Sequence, residues 1–304
     1  MQIMSLITAL PGAAAQGLIW GIMAIGVYIT FRILDIADLT VDGTLCTGGA
    51  VCIMMMLSGH NVWVSMLVAT GAGLLAGLAT GIFHTFMGIP AILAGILTQL
   101  SLYSINLKIM GKANQAINVD KFNLLVSLRR VKGVALTQNT LFIVAIMIII
   151  LIAVLYWFFG TELGCSLRAT GCNPSMSRAQ GINTDRNKVL GLMLSNGLVA
   201  LSGALLTQYQ GFADINMGRG SIVIGLAAVI IGEAIFSSIF RNFALKLLSV
   251  VFGSILYYLV LQIVIWMGID TDLLKMLSAL VVAFFLAFPY WKGKYFTKAK
   301  QGGK

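Results

Sequence analysis

The chain has 304 residues, 59% of them hydrophobic and 10% charged, with a mean hydropathy of +0.96. A soluble domain carries about 25% charged residues, so this composition excludes an ordinary soluble enzyme, a disordered chain and a nucleic-acid module. The apolar residues suffice for roughly nine membrane spans of about 20 residues each, and the net charge of +10 reads as Lys and Arg gathered on cytoplasmic loops.

Apolar runs place spans at 12–32, 39–57, 61–83, 88–109, 139–160, 188–208, 220–236, 242–266 and 272–291. They are far longer than the ten-residue strands of a membrane barrel, and lipid demands that each satisfy its own backbone, so they are helices. The expected architecture is all-α and polytopic, with about nine transmembrane helices in a single domain spanning 1–304. Met1–Gln16 has no basic start and does not read as a cleaved signal peptide.

Orientation follows from charge. Lys292, Lys294, Lys298, Lys300 and Lys304 form a basic tail over 292–304, which places the C-terminus in the cytoplasm. Tyr290 and Trp291 fit an interfacial belt at the end of the last span. Counting back puts loop 161–187, with Arg168, Arg178, Arg186 and Lys188 at it or its border, on the cytoplasmic side and loop 110–138 outside. The outer loop carries Lys112, Lys121, Arg129, Arg130 and Lys132, against the charge rule. Val119, Phe122 and Val126, with Leu125 and Leu128, recur at helical spacing there, which predicts a surface helix, either a solvated connector or a docking surface for an external protein.

Two short stretches resemble each other. Ala37-Asp38-Leu39-Thr40-Val41-Asp42-Gly43-Thr44 and Ala213-Asp214-Ile215-Asn216-Met217-Gly218-Arg219-Gly220-Ser221 share Ala-Asp, an apolar residue, Thr or Asn, another apolar residue, and a Gly followed by a hydroxyl. Each opens a glycine-rich span, one from the cytoplasmic side and one from outside, as an inverted repeat requires. Asp38 and Asp214 are expected to cap helix starts. Asp42 lies deeper, where a charged group must face water, a partner or a cavity.

Polar residues inside or beside spans are candidates for a pathway or gate: Asp42, Thr44, Gln99, Tyr103, Asn106, Asn196, Gln208 and Glu233. Gln99, Tyr103 and Asn106 fall at i, i+4 and i+7, one helix face, suited to an amino acid and its ring or to hydrogen bonds between helices. Glu233 sits in an apolar run and is expected to pair with Arg241 or Arg178, or to reach water. Gly71, Gly73, Gly77 and Gly81 share one span and predict close helix packing.

Loop 161–187 carries a framed element. Asn173 is an N-cap residue, Pro174 suits a first helical position and Gly181 a left-handed stop, so a short helix is expected over Pro174–Gln180. Nothing in lipid requires it, and its form suits a groove on another protein.

The stretch Arg168-Ala-Thr-Gly-Cys-Asn-Pro-Ser-Met-Ser-Arg-Ala-Gln-Gly-Ile-Asn183 resembles the coupling segment of bacterial ABC importer permeases of the branched-chain amino acid and ribose type. Ile36–Thr44, Ser195–Gly203, Gln208–Asp214 and Ile224–Glu233 are similar to a subgroup associated with aromatic amino acid uptake. Arg219 and Cys172 depart from the residues expected there. The resemblance implies a type II-like permease in a bacterial plasma membrane, working by alternating access. Asn173, Pro174, Ser175, Met176, Ser177, Arg178, Ala179, Gln180 and Gly181 would couple it to an ATPase. It implies a homodimer, two ATP-binding subunits that hold ATP and Mg, an extracytoplasmic solute-binding protein, and a small organic solute as cargo, an amino acid, with aromatic ones among the candidates.

The chain lacks an engine of its own. Gly-Lys occurs at Gly111-Lys112, Gly293-Lys294 and Gly303-Lys304. The residue five before each Gly is Asn106, Phe288 or Lys298, so no phosphate loop exists. His60 and His84 are isolated, and Cys46, Cys52, Cys165 and Cys172 fit no zinc spacing. No cofactor, metal or catalytic residue is assigned. The competing readings are a secondary transporter coupled to ions through Asp42 and Glu233, or a channel.

Overall fold

The computed structural model describes residues 2–118, 122, 124–131, 139–236, 242–267, 273, 276, 279, 280, 282–284 and 287. Among the described residues ten α-helices can be delimited, in order: α1 Gln2–Tyr28, α2 Thr40–Leu57, α3 Val62–Thr85, α4 Ala91–Met110, α5 Thr140–Gly160, α6 Glu162–Cys172, α7 Pro174–Ala179, α8 Thr184–Gln210, α9 Ser221–Phe236 and α10 Phe243–Trp266. Two three-residue strands, β1 Asn114–Ala116 and β2 Phe212–Asp214, pair antiparallel.

Among the described residues seven helices are long and apolar enough to cross a membrane, the first of them running Ala9–Ile33. α9 is apolar but has 16 residues, about 24 Å of helix. Twelve of the twenty residues of the span expected over 272–291 fall outside the described residues, as do the basic tail, Val119 and Arg241.

The bundle has two ends. At one, Arg32 meets Glu233, Lys188 Nζ lies 3.5 Å from His84 Nε2, and the Arg168 guanidinium sits 5.7 Å from the Phe243 ring centre. This end carries α6 and α7. At the other, β1 pairs with β2, and the Thr140 hydroxyl donates to the Ser127 carbonyl at 2.8 Å.

Glycine sets the core spacing. A Cβ at Gly73 would strike Ala200 and the Asn196 carbonyl, and one at Gly77 the Leu192 carbonyl. A Cβ at Gly81 would come within 3.0 Å of Val189, whereas Gly71 faces open space. Three of the four glycines singled out in the sequence thus form the seam between α3 and α8. Gly48 on Ala200 and Gly203 on Leu45 do the same between α2 and α8. Where a backbone replaces a side chain in the contact, the helices approach closely enough for dispersion to hold them in lipid.

Two expectations are corrected. Residues 162–172, read as loop, form α6. Thr161 caps it, accepting from the Gly164 N–H at 3.4 Å, and Leu167 is fully buried. Gly164 and Gly171 let it close on the Phe158–Phe159 backbone and the Ile33 carbonyl. The outer surface helix expected within 110–138 is not found among the described residues. That stretch holds β1 and a 3-10 turn at Leu128–Val131, and Leu124 and Val126 are buried at the end of the bundle. Ser127 and Val131 are buried there as well.

Candidate functional site

Two crossings are broken. α1 ends in a π-turn, Ile29–Ile33, with the Leu34 N–H bonded to the Ile29 carbonyl. Asp35 then adopts φ +56°, a left-handed conformation that Asp tolerates better than most residues. The chain runs irregularly inward to Thr40, where α2 starts. From the other end, α8 stops at Gly211, φ +81°, and the chain passes through β2 and a turn to Ser221, where α9 starts. α2 ascends beside α8 away from the α7 end. α9 descends toward it, Gly225 packing on Met23 and Val27 and Gly232 on the Ser249 carbonyl.

The two segments share a local device. Asp38 Oδ1 accepts from the Thr40 N–H at 2.9 Å, and Asp214 Oδ1 accepts from the Asn216 N–H at 2.7 Å. Both are side-chain turns that replace a backbone bond two residues on. The segments then touch. Asp42 Oδ2 accepts from the Gly220 N–H at 2.9 Å, while Oδ1 accepts from the Ser221 hydroxyl at 2.8 Å and the Ile222 N–H at 3.0 Å. A carboxylate from the first segment therefore caps the α9 helix opened by the second, where free N–H groups and the helix dipole favour negative charge. Gly218 allows the approach, since its Cβ would strike the Asp42 carbonyl.

Beside this junction lies a cavity of about 320 Å³ lined by Asp42, Gly43, Cys46, Gln99, Leu100, Tyr103, Asn106, Ile215 and Arg219. Gln99, Tyr103 and Asn106 occupy the central turns of α4. The Arg219 guanidinium lies 6.0 Å from the Tyr103 ring centre. Asn106 is 1% exposed; its Nδ2 donates to the Gly43 carbonyl at 3.5 Å, and its Oδ1 has no hydrogen-bond partner among the described residues. The Cys46 thiol donates to the Asp214 carbonyl at 3.5 Å.

Four of the pathway candidates thus meet on one cavity: Asp42, Gln99, Tyr103 and Asn106. The other four do not line it. The Thr44 hydroxyl donates to Asn196 Oδ1 at 2.7 Å, and Asn196 Nδ2 donates to Asp38 Oδ2 at 2.7 Å, a buried chain extended by Thr40, Thr80 and Thr98. Gln208 is buried, donating to Cys52 Sγ and accepting from the Leu125 N–H. Glu233 forms a two-pronged pair with Arg32, whose Nε reaches both carboxylate oxygens at 2.9 and 3.0 Å. The partner expected for Glu233 was Arg241 or Arg178. Arg241 lies outside the described residues, and Arg178 pairs instead with Asp185 at 3.5 Å. Cys46 and Arg219 were missed as cavity residues. Arg219 had stood out as a departure from its family pattern, a signal that a local function differs.

The second feature is α7. Asn173 Oδ1 accepts from the Met176 N–H at 3.0 Å, and Pro174 takes the first turn. Gly181 follows with φ +79°. Ser177 is buried, with its hydroxyl returned to the Asn173 carbonyl, and the Arg178 Nε ties the helix to the Thr184 hydroxyl at 2.7 Å. The remaining α7 residues are exposed, Met176 at 56%.

A helical membrane bundle whose two broken crossings meet at a polar cavity has the build of a transport protein. The chain belongs to the family described as the permease component of the branched-chain amino acid transport system, which matches residues 10–286. It is 39% identical over 272 residues to a tyrosine transport system permease protein of Clostridioides difficile, covering 90% of this chain and 88% of that one. It is 38% identical over 281 residues to a protein of Rickettsia prowazekii, covering 91% and 95%. A fructose import permease of Bifidobacterium longum is 25% identical over 246 residues, covering 81% and 67%. Among solved structures, PsaBC of Streptococcus pneumoniae in complex with Fab shares the fold, with a TM-score of 0.55 and 16% identity over 98% of this chain and all of that one. The chain is therefore a multi-pass permease of an ABC import system, a transport subunit and not an enzyme, working with separate ATP-binding and substrate-binding partners.

Proposed function

We propose that this permease imports an amino acid with an aromatic side chain, by alternating access, through a pathway bounded by α2, α4 and the 215–220 segment. One observation carries the reading. Arg219, Tyr103 and Leu100 are exposed beside the central turns of α4. A cation at mid-span does not face hydrocarbon but a water-filled cavity or a partner. This face therefore lines the pathway, and a second copy of the chain closes it from the opposite side. The 39% identity to a tyrosine transport permease supports the cargo class.

In this reading residues 161–187 are cytoplasmic. Asn173–Gly181 seats on one of two ATP-binding subunits, which hold ATP and Mg, and transmits their closure to the bundle. The 110–138 segment and the hairpin pair face the extracytoplasmic binding protein, and the C-terminus lies in the cytoplasm of a bacterium, whose inner membrane holds the complex. Ion coupling through Asp42 and Glu233 is disfavoured because both carboxylates already serve structure, one as a helix cap and the other in an ion pair.

Uptake by proteoliposomes holding the permease and its ATP-binding subunits, supplied with the binding protein, tests the reading. Labelled tyrosine, phenylalanine and tryptophan should enter only with ATP on the cytoplasmic side and should still enter after ionophores collapse ion gradients. Uptake that persists without ATP and stops with the ionophore would establish the secondary transporter instead.

A further inference from the structure

The charge inventory of the cavity points to the chemical form of its ligand. Asp42 and Arg219 are its charged side chains, and they are not partners of one another. Both Asp42 oxygens are engaged by the start of α9, and Arg219 forms no ion pair among the described residues. Its guanidinium instead lies 6.0 Å from the Tyr103 ring centre. A guanidinium is a flat fork of five donors matched to a carboxylate, and this one stands at mid-span without an anion.

The second observation is the orphan carbonyl of Asn106, on a residue 1% exposed that borders the same cavity. A buried acceptor without a donor is costly, and one that persists calls for an explanation. Among the described residues the cavity thus offers a cation without an anion, a buried acceptor without a donor, and an aromatic face. Its volume sits within the roughly 300–1,000 Å³ of small-molecule sites.

We propose that this cavity is a binding site for an α-amino acid zwitterion, in which Arg219 takes the α-carboxylate, Asn106 Oδ1 takes the α-ammonium, and Tyr103 packs against the side chain. The inference rests on the pathway reading above and deepens it: the permease itself selects the backbone of its cargo, independently of the binding protein. Binding of a free solute here breaks no covalent bond, and release follows when alternation moves the 215–220 segment away from α4.

Scintillation proximity binding to the permease–ATP-binding-subunit complex in nanodiscs, without binding protein, tests this. The probe is labelled L-tyrosine, competed by tyramine, which lacks the carboxylate, and by 4-hydroxyphenylpropionate, which lacks the ammonium. Both competitors should be weaker than unlabelled tyrosine by about tenfold or more. Arg219→Gln should weaken tyrosine by a similar factor and abolish the discrimination against tyramine, and Arg219→Lys should restore part of both. Equal competition by all three compounds would overturn the proposal, as would Arg219→Gln binding tyrosine like the parent. The same holds if the complex binds no tyrosine while the complete importer carries it, a result that leaves the pathway reading standing. A complete importer that carries no amino acid sinks the pathway reading itself.

Discussion

The two broken crossings begin with the same residues and end in different surroundings. Asp38 is 2% exposed, and both its oxygens are used, one by the Thr40 N–H and one by Asn196. The hydroxyls of Thr40, Thr80 and Thr98 continue the network into α3 and α4. Asp214 makes the same turn in the open, with Asn114 Nδ2 at 3.4 Å as its further partner. One segment is stitched into the bundle, while the other borders a cavity and leaves Arg219 exposed. A repeated sequence device thus stands once inside the buried hydrogen-bond network and once at the edge of the cavity.

The largest effect that breaks this comparison is expected at Asp38. Asp38→Ala strands a buried backbone N–H and a buried amide, and should cost about 3 kcal/mol. Asp214→Ala exposes its orphan N–H to water and should cost about 1 kcal/mol, the ordinary loss of a cap. Unfolding in mixed lipid–detergent micelles measures both, and equal losses would show that the two segments are not different in kind. Asp42→Ala comes next. It removes the tie between the segments and the charge at the start of α9, for about 1–2 kcal/mol. Disulfide trapping of cysteine pairs placed across the 215–220 segment and α4 should speed up in that variant; an unchanged rate would mean that the tie does not restrain the segment.

Much of this was legible in the chain, and the gaps have physical causes. Spans announce themselves because lipid tolerates nothing else, and even the short α9 was read at 220–236. α7 was readable because its signals are local: an Asn cap, a Pro and a left-handed Gly. α6 was not, because its polar, glycine-rich sequence gains its burial from Ile33 and Phe159, residues outside it. A third of the cavity lining was readable as the i, i+4, i+7 face of α4. Arg219 arrives from another part of the chain through a strand and a turn, and no period links it to Tyr103. The partner of Glu233 lies 201 residues away, beyond any pattern in sequence.

The same locality governs α7. A helix of six residues is far below the length at which helices persist alone, so it depends on its cap and on the bonds from Ser177 and Arg178. Asn173→Ala should cost about 1 kcal/mol of local stability and leave the melting of the bundle unchanged. It should still lower recovery of the ATP-binding subunit in co-purification from detergent. Undiminished recovery would mean that α7 does not seat that subunit.

The smallest effect is expected at Arg32–Glu233, and it is the sharpest divide between a gate and a brace. The pair joins the ends of α1 and α9, so it holds the foot of the helix that the 215–220 segment opens. Its side chains are 52% and 27% exposed, and water weakens the attraction, so a double-mutant cycle with Arg32→Met and Glu233→Gln should give a coupling of less than ~1 kcal/mol. Glu233→Gln keeps the shape of the acid and removes its charge. If the carboxylate carried a coupling ion or proton, that change would stop uptake; if it braces α9 against α1, uptake stays ATP-driven at a rate close to the parent. Measured in the same proteoliposomes as the Asp42 variant, the two acids separate. Asp42, at the junction of the two segments, should alter transport, whereas Glu233, a turn of helix from the end of α9 that lies on the α7 side, should alter only the stiffness of its foot.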